Sequence, residues 1–387
     1  MRILHTGDWH LGRTLLGADL LEHQAAFTDW LVDVARTRAV DLVVIAGDVY
    51  DRAVPPVDAV RMLSRALERL ADTATVVLIP GNHDSAARLG FGAGVMDRRV
   101  RILAEPVGLG TPVVVDDPDG PVAVYGIPYL HPDLTRYALA EVPDEPLARS
   151  HHAVVGAAMD RVRADLAGRT GTRSVVVAHA FVGGADPSDS EQDIRVGGVD
   201  RVPESVFDGI DYVALGHLHG PQRVGAGDRI RYAGSPLAFS FGERGQRKSV
   251  TVVDLDATGA VSADLVPAPV PRRLVDVRGS IDAIESGAFR TDADAWVRVA
   301  VTDTVHPERM YARVKDHFPH ALAITHEPAD RAERVAARAV SATSDPVEVA
   351  ADFVAFATGA PPSDDDRAIL TEAYEAAALA LQREGDR

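Results

Sequence analysis

Nine residues able to bind a metal or move a proton recur through the first 220 positions: Asp8, His10, Asp48, Asn82, His83, Asp84, His179, His217 and His219. Each group alone has a plain explanation. Asn82-His83-Asp84 after a glycine is a polar turn closed by an Asx hydrogen bond. Asp8 can cap the element that follows it, and Asp-X-His is common by chance. Together they form one donor set of carboxylate, amide and imidazole groups. Setting His83 aside, Asp8, His10, Asp48, Asn82, His179, His217 and His219 are seven ligands, enough for two divalent ions. Two ions about 3.5–4 Å apart need a shared carboxylate, and Asp48 is the natural bridge. The sequence contains no cysteine, so disulfides and thiolate metal sites are excluded.

The segments before these residues explain how they could meet. Val76–Ile79 is a short apolar run stopped by Pro80-Gly81, which delivers Asn82, His83 and Asp84 at the carboxyl end of a strand. Asp41–Asp48 repeats the design, with an apolar strand, a glycine and then a carboxylate. Its continuous hydrophobicity implies burial on both faces, as in a layered α/β sheet. Arg2–Thr6 leads to Asp8 and His10, whose spacing of two lets both side chains face one way. Ser174–Ala178 leads to His179, and Tyr212–Leu215 leads to Gly216 and His217. Five strand tips thus carry the set, at the end of the strands where open α/β sheets bind ligands.

Between the tips, Leu20–Arg38, Val57–Ala71 and Ser150–Ala167 read as helices. Val113–Val115 and Val122–Ile127 flank an Asp-Gly turn, and Ser249–Leu255 closes the sheets. His5 reads as a core histidine, and His151 and His152 as exposed residues beside a helix start. Asp51 reads as a turn residue, with a catalytic role as the alternative. Gly90–Gly94 reads as flexible, and Gly183–Gly198 as a candidate substrate-facing loop. A linker around Pro267–Pro271 precedes a small α+β unit over Leu274–Thr325. Asp345-Pro-Val-Glu348 then opens a capped helix with Ala350, Phe353, Val354 and Ala357 on one face. After Gly359–Pro362, Ser363-Asp-Asp-Asp366 opens a second helix, and Phe356 is a further apolar candidate.

The net charge is −17, against a protein that wraps naked nucleic acid with a basic surface. It leaves room for phosphates bound through a cation, which is often the largest local charge in its site. Residues 345–387 contribute ten acids against three arginines. No apolar run approaches the ~20 residues of a membrane helix, and the chain enters its first strand without a leader-like segment. A cytoplasmic protein with no membrane association is expected.

Asp-X-His, Gly-Asp, Gly-Asn-His-Asp, a separate His and Gly-His-X-His, in that order, resemble the calcineurin-like metallophosphoesterase superfamily. The stretches at 1–12, 46–52, 214–219 (Ala-Leu-Gly-His-Leu-His) and 232–236 (Tyr-Ala-Gly-Ser-Pro) are similar to its SbcD family of nuclease subunits. The resemblance implies an α/β fold: a two-sheet sandwich flanked by helices, a small α+β capping domain and C-terminal helices. The corresponding divisions are a nuclease domain over 1–266, a DNA-capping domain over 272–340 and a partner-binding segment over 345–387.

The resemblance also assigns roles. Asp8, His10 and His219 take one ion, Asn82, His179 and His217 the other, and Asp48 bridges them. His83 is the catalytic histidine, with Asp84 its expected orienting partner. Asp51 stands where archaeal and eukaryotic relatives carry a histidine, and no role is carried onto it. The ions are two divalent cations, and the ligand types suit Mn2+, with iron and zinc also compatible. The implied substrates are DNA ends and hairpins, cut in concert with an SbcC-like ATPase subunit, the nuclease forming a homodimer within a heterotetramer. No Gly-X4-Gly-Lys-Ser/Thr loop is present, so ATP use would belong to another chain. Two rivals share the motifs: a small-molecule or phosphoprotein phosphoesterase, and a DNA-binding scaffold with a decayed site.

Overall fold

The structure is a computed structural model that describes residues 1–142, 145–188, 190–191, 201–328, 345–358 and 361–385. Parts of the expected 183–198 loop, the side chain of Phe356, and residues 329–344 and 359–360 fall outside that range. The chain divides into two units. The first comprises Met1–Arg278, Asp282–Ala300 and Arg309–Thr325; the second comprises Gly279–Ile281, Val301–Glu308 and His326–Arg387.

Two six-stranded sheets dominate the first unit. Their strands are β1 (Arg2–Thr6), β2 (Leu42–Ala46), β3 (Thr75–Ile79), β4 (Val100–Ile102), β5 (Val113–Asp117), β6 (Gly120–Ile127), β7 (Arg173–His179), β8 (Tyr212–Gly216), β9 (Gln222–Arg223), β10 (Ile230–Tyr232), β11 (Ser249–Leu255) and β12 (Val261–Pro267). One sheet has the order β12-β11-β1-β2-β3-β4 and the other β9-β10-β8-β7-β6-β5. The strands that lead to the candidate residues, β1, β2 and β3 in one sheet and β7 and β8 in the other, run parallel to their neighbours in that group. Parallel pairing puts the carboxyl ends of each group on one edge of its own sheet, and the stacked inner faces bring the two edges together, which is what a shared site requires.

The apolar runs are buried for the expected reason. All five residues of β2 are inaccessible, as are Val76–Ile79. The inner faces meet through Ile3, Val44, Val77, Val124, Val177 and Ala214. The outer face of the first sheet is covered by α1 (Leu21–Thr37) and α2 (Val57–Ala71), and that of the second by α3 (His151–Leu166). In α2, Ala59, Met62, Leu63, Ala66, Leu67 and Leu70 are buried at helical spacing, and each fully buried aliphatic side chain contributes about 1.5–3 kcal/mol. The mixed α/β sandwich matches the expected fold class.

Local expectations fared unevenly. The Asp-Gly hairpin forms, with Asp117 paired to Gly120. The Gly90–Gly94 stretch follows a helical turn at Ala86–Leu89 and runs into another at Ala93–Val95. His151 is buried rather than exposed; Ser150 caps α3 by accepting Ala153 N–H, and the His151 ring packs 5.6 Å from that of Tyr129. His152 is exposed as expected.

The α+β stretch contributes a three-stranded sheet, β13 (Leu274–Gly279), β14 (Trp296–Val301) and β15 (Ala321–His326), and helix α4 (Met310–His317). β15 was not foreseen. Within the first unit, Leu274 and Trp296 join Leu15, Leu20, Leu237, Phe239 and Phe241 in one apolar cluster.

In the second unit, α5 (Pro346–Thr358) and α6 (Asp364–Gly385) are packed together. Asp345 Oδ1 accepts Val347 N–H at 2.9 Å, as a cap should. At α6, Ser363 Oγ accepts Asp366 N–H while Asp366 Oδ2 accepts Ser363 N–H, a reciprocal box closed by aspartate. Arg367 and Glu348 pair between the helices at 2.7 Å. Phe353 is 69% exposed. Among the described residues, no helix is long and apolar enough to cross a membrane.

Candidate metal centre

The tips of β1, β2, β3, β7 and β8 converge, and the loops after β1 and β2 are pinned to one another by main-chain bonds. Asp8 N–H donates to Gly47 O at 3.0 Å, His10 N–H to Asp48 O at 2.9 Å, and Leu11 N–H to Val49 O at 2.9 Å. The backbone is unusual here. Asp8 (φ 52°), His10 (φ 44°), Asp48 (φ 46°) and His217 (φ 109°) all have positive φ. Such conformations cost about 1–3 kcal/mol each and persist only where the surroundings impose them. Asp8 and His10 therefore share a side through a left-handed loop, not through the alternation of an extended strand. Trp9 between them turns into the core against Phe27.

Gly47 (φ 89°) shows why glycine precedes Asp48: a Cβ there would collide with His179 Nδ1. His179 itself is aimed by its other nitrogen, Nδ1, which lies 2.9 Å from Ala46 O.

Seven side chains meet in two overlapping groups. His10 Nε2 lies 3.1 Å from His219 Nε2, and Asp8 joins these two within reach of a common ion. On the other side, Asn82 Oδ1 lies 2.9 Å from His179 Nε2 and 3.2 Å from His217 Nδ1. Between them, Asp48 Oδ2 is 3.6 Å from His10 Nε2 and 3.6 Å from His179 Nε2. His83 comes within reach as well, grouped with His10 and Asp48.

The electrostatics match a cation site. Burial, and then the charge of Asp48, raise the Asp8 carboxyl well above its usual range. At Asp48, burial is outweighed by His179, His10 and His83, and the carboxyl is held below its usual range. Burial pushes His10 down to about 3 and lowers His179 and His217, so these rings are neutral and offer lone pairs. Asp8 Oδ1 accepts His217 N–H at 2.9 Å, while Asp8 Oδ2 is buried with no hydrogen-bond partner. An orphaned carboxylate oxygen beside neutral imidazoles is a donor set that fits divalent metal.

Asp84 is not the group that orients the His83 ring. His83 N–H donates to Asp48 Oδ1 at 2.9 Å, and its Nδ1 faces the carbonyl of Asp51 at 2.9 Å. The carboxylate of Asp84 accepts three backbone N–H groups instead: Val49 at 3.0 Å, Tyr50 at 2.9 Å and Gly81 at 2.9 Å. Asp84 therefore clips the β2 loop to the β3 loop, and Asp51 O is the group that orients the His83 ring. Burial and then Asp48 push the Asp84 carboxyl up to about 7.

Sequence reasoning missed several residues that shape the site. Gln24 ties the first loop, donating to His10 O at 2.8 Å and accepting Gly12 N–H at 3.0 Å. Asp51 Oδ1 lies 3.6 Å from His10 Nδ1 and 3.7 Å from Arg13 Nε. Ser190 and Glu243 stand behind His219. Lys248, one of two lysines among 40 basic residues, joins them through Glu243, and its rarity alone carried no mechanism.

The chain is similar to known proteins in two stretches. Residues 1–221 match the calcineurin-like phosphoesterase family, more than half of the 387 residues. Residues 270–358 match the SbcD_C family, described as the type 5 capsule protein repressor C-terminal domain. Among solved structures, the chain matches that of TT1561 of Thermus thermophilus at 14% identity and a TM-score of 0.38, over 68% of this chain and 98% of that one. A likeness at that level adds nothing to the fold described above. The two family matches on one chain, the first ending just past His219, lead to one conclusion: it belongs to the calcineurin-like metallophosphoesterase family, with an SbcD-like C-terminal domain.

Proposed function

We propose that this chain is a divalent-metal-dependent DNA phosphodiesterase, cutting DNA ends and hairpins as the nuclease subunit of a DNA repair and recombination complex. Asp8, His10 and His219 hold one ion, and Asn82, His179 and His217 the other, with Asp48 serving both. The observation that carries this reading is Asp48 Oδ2, equidistant at 3.6 Å from His10 Nε2 and His179 Nε2 at the junction of the two groups. Oxygen and imidazole donors without thiolate suit Mn2+. Bound there, the ion pair supplies positive charge for phosphate oxygens and lowers the pKa of water.

The protein's own part falls to the side chains around that pair. With Nδ1 held against Asp51 O, His83 keeps Nε2 for exchange of a proton with the phosphate or the leaving oxygen. Burial keeps His10, His179 and His217 neutral, and the pinned loops hold the donors in register before substrate arrives.

The proposal divides the chain into a nuclease domain (1–266), a DNA-capping domain (272–340) and a partner-binding segment (345–387). An SbcC-like ATPase docks on α5 and α6, where exposed Phe353 offers an apolar anchor and the acidic surface disfavours DNA. The assembly is a cytoplasmic heterotetramer built on a homodimer of this chain.

The test compares Mn2+-dependent cleavage of duplex, hairpin and single-stranded DNA with hydrolysis of a mononucleotide phosphodiester. Preference for DNA is expected, and His83→Ala should keep both ions while losing about 10²–10⁴-fold in turnover. Efficient hydrolysis of the small substrate with DNA left intact would make the chain a small-molecule phosphoesterase.

A further inference from the structure

The Tyr232–Pro236 motif and the lone interior lysine belong to one polar cluster behind His219. His219 Nδ1 is 2.6 Å from Ser190 Oγ, and Ser190 Oγ donates to Glu243 Oε1 at 2.6 Å. Phe239 N–H donates to the same Glu243 oxygen at 2.9 Å. Lys248 Nζ pairs with Glu243 Oε2 and also donates to Ser235 Oγ at 2.9 Å, His219 O at 3.0 Å and Gln246 Oε1 at 2.7 Å. Ser235 N–H reaches His219 O at 3.1 Å. Glu243, Lys248, Ser235 and His219 are each at most 3% exposed, and Ser190 is 9% exposed.

We propose that Ser190, Glu243 and Lys248 are positioning residues that fix the tautomer and aim of His219. The inference rests on the reading of His219 as a metal ligand and deepens it. The direction of the chain of bonds follows from proton counting. Glu243, paired with Lys248, can only accept, and Ser188 Oγ, which gives its own proton to Glu191, is the longer contact at 3.0 Å, so the single hydroxyl proton of Ser190 goes to Glu243 at 2.6 Å. Ser190 Oγ must then accept from His219, which places the imidazole proton on Nδ1. The lone pair is left on Nε2, the nitrogen that faces His10 and shares reach with Asp8. A hydrogen bond on the far nitrogen that sets tautomer and ring orientation is the usual companion of a metal-binding histidine.

Two details argue that the cluster is built for this purpose. The ammonium and carboxylate cancel, so the support adds no net charge beside Asp8 and Asp48. The chain otherwise uses arginine almost throughout, yet here carries lysine. A compact ammonium can meet several oxygens gathered around one point, which a planar guanidinium fork cannot. Gly234 (φ 77°) allows the motif to lie this close: a Cβ there would stand 2.8 Å from His219 O and 2.7 Å from Pro221 N.

Ser190→Ala removes the link and leaves the Glu243–Lys248 pair intact, so it spares the buried charges. In metal-free protein, 15N-resolved histidine NMR should show His219 protonated at Nδ1 in wild type and moving toward the other tautomer in Ser190→Ala. Calorimetric titration with Mn2+ should show one ion weakened by about 10–100-fold and the other unchanged. Ser190→Thr, which keeps the hydroxyl, should stay near wild type in both measurements. An unchanged tautomer with both affinities unchanged in Ser190→Ala would overturn the proposal. Failure of the wild-type protein to cleave DNA would count against the functional reading alone, since the tautomer comparison needs neither DNA nor turnover.

Discussion

Replacing Asp84 by alanine separates a loop clip from a catalytic partner. The carboxylate accepts N–H groups from Val49, Tyr50 and Gly81, all on the buried backbone of two different strand-tip loops. Alanine leaves all three unpaired, and each buried unsatisfied group costs about 1–3 kcal/mol. Asp84 is itself only half-buried, so water can replace part of the loss, and alanine also relieves the burial and Asp48 repulsion that push this carboxyl up, so the lower bound applies: about 3 kcal/mol in total. At roughly 2–4 °C per kcal/mol for a domain of this size, the melting temperature should fall by about 6–12 °C. Calorimetric melting of metal-free protein in chelator measures this directly. Asp84→Asn keeps one acceptor oxygen and should lose less, whereas His83→Ala should melt near wild type. A partner that oriented the His83 ring would show the opposite pattern, with turnover lost and melting unchanged. Melting of Asp84→Ala within about 2 °C of wild type would refute the clip.

Further outcomes follow from other parts of the molecule. Asp48→Ala should weaken both Mn2+ ions in a calorimetric titration, while Asp8→Ala should spare the ion held by Asn82, His179 and His217; two ions still tightly bound in Asp48→Ala would remove the bridge. At Asp117, burial is outweighed by Arg173, and the carboxyl is held down at about 2, below its ordinary 3.8. A depressed folded value stabilises above the ordinary pKa and fades as pH falls toward 2, so Asp117→Asn should flatten the acid limb of a stability profile between about pH 4 and 2; an acid limb as steep as wild type would speak against it. Removal of residues 345–387 should leave Mn2+-dependent cleavage of single-stranded DNA and abolish co-purification with the ATPase; undiminished co-purification would move the docking surface elsewhere.

Much of the site was legible because metal ligands belong to few residue types and because each followed an unmistakable apolar strand. Asp48 after Leu42–Ala46 and His179 after Ser174–Ala178 are set by local patterning alone, and packing of the two sheets face to face then brings their tips together. Local patterning also read α2 to the residue, since its buried positions repeat at helical spacing. Short strands such as Val100–Ile102, and the edge strand Val261–Pro267 beside a proline-rich stretch, carry too few residues or too mixed a pattern to stand out.

What escaped notice depends on groups that every protein has in abundance. Asp84 and His83 are adjacent, which suggested a partnership, yet the carboxylate found unpaired backbone donors while the ring found a carbonyl 32 residues away. Ser190 reaches His219 across 29 residues and Glu243 across 53, and neither serine nor glutamate signals its role by type. The left-handed backbone at Asp8, His10 and Asp48 is likewise invisible, because aspartate and histidine tolerate that conformation without glycine marking it. Ligand identity is thus written in residue type and local pattern, whereas ligand aim is set by long-range hydrogen bonds. Lys248 shows the same division: its scarcity as one of two lysines is visible in the sequence, whereas its contacts with Glu243 and the His219 carbonyl are set only by the fold.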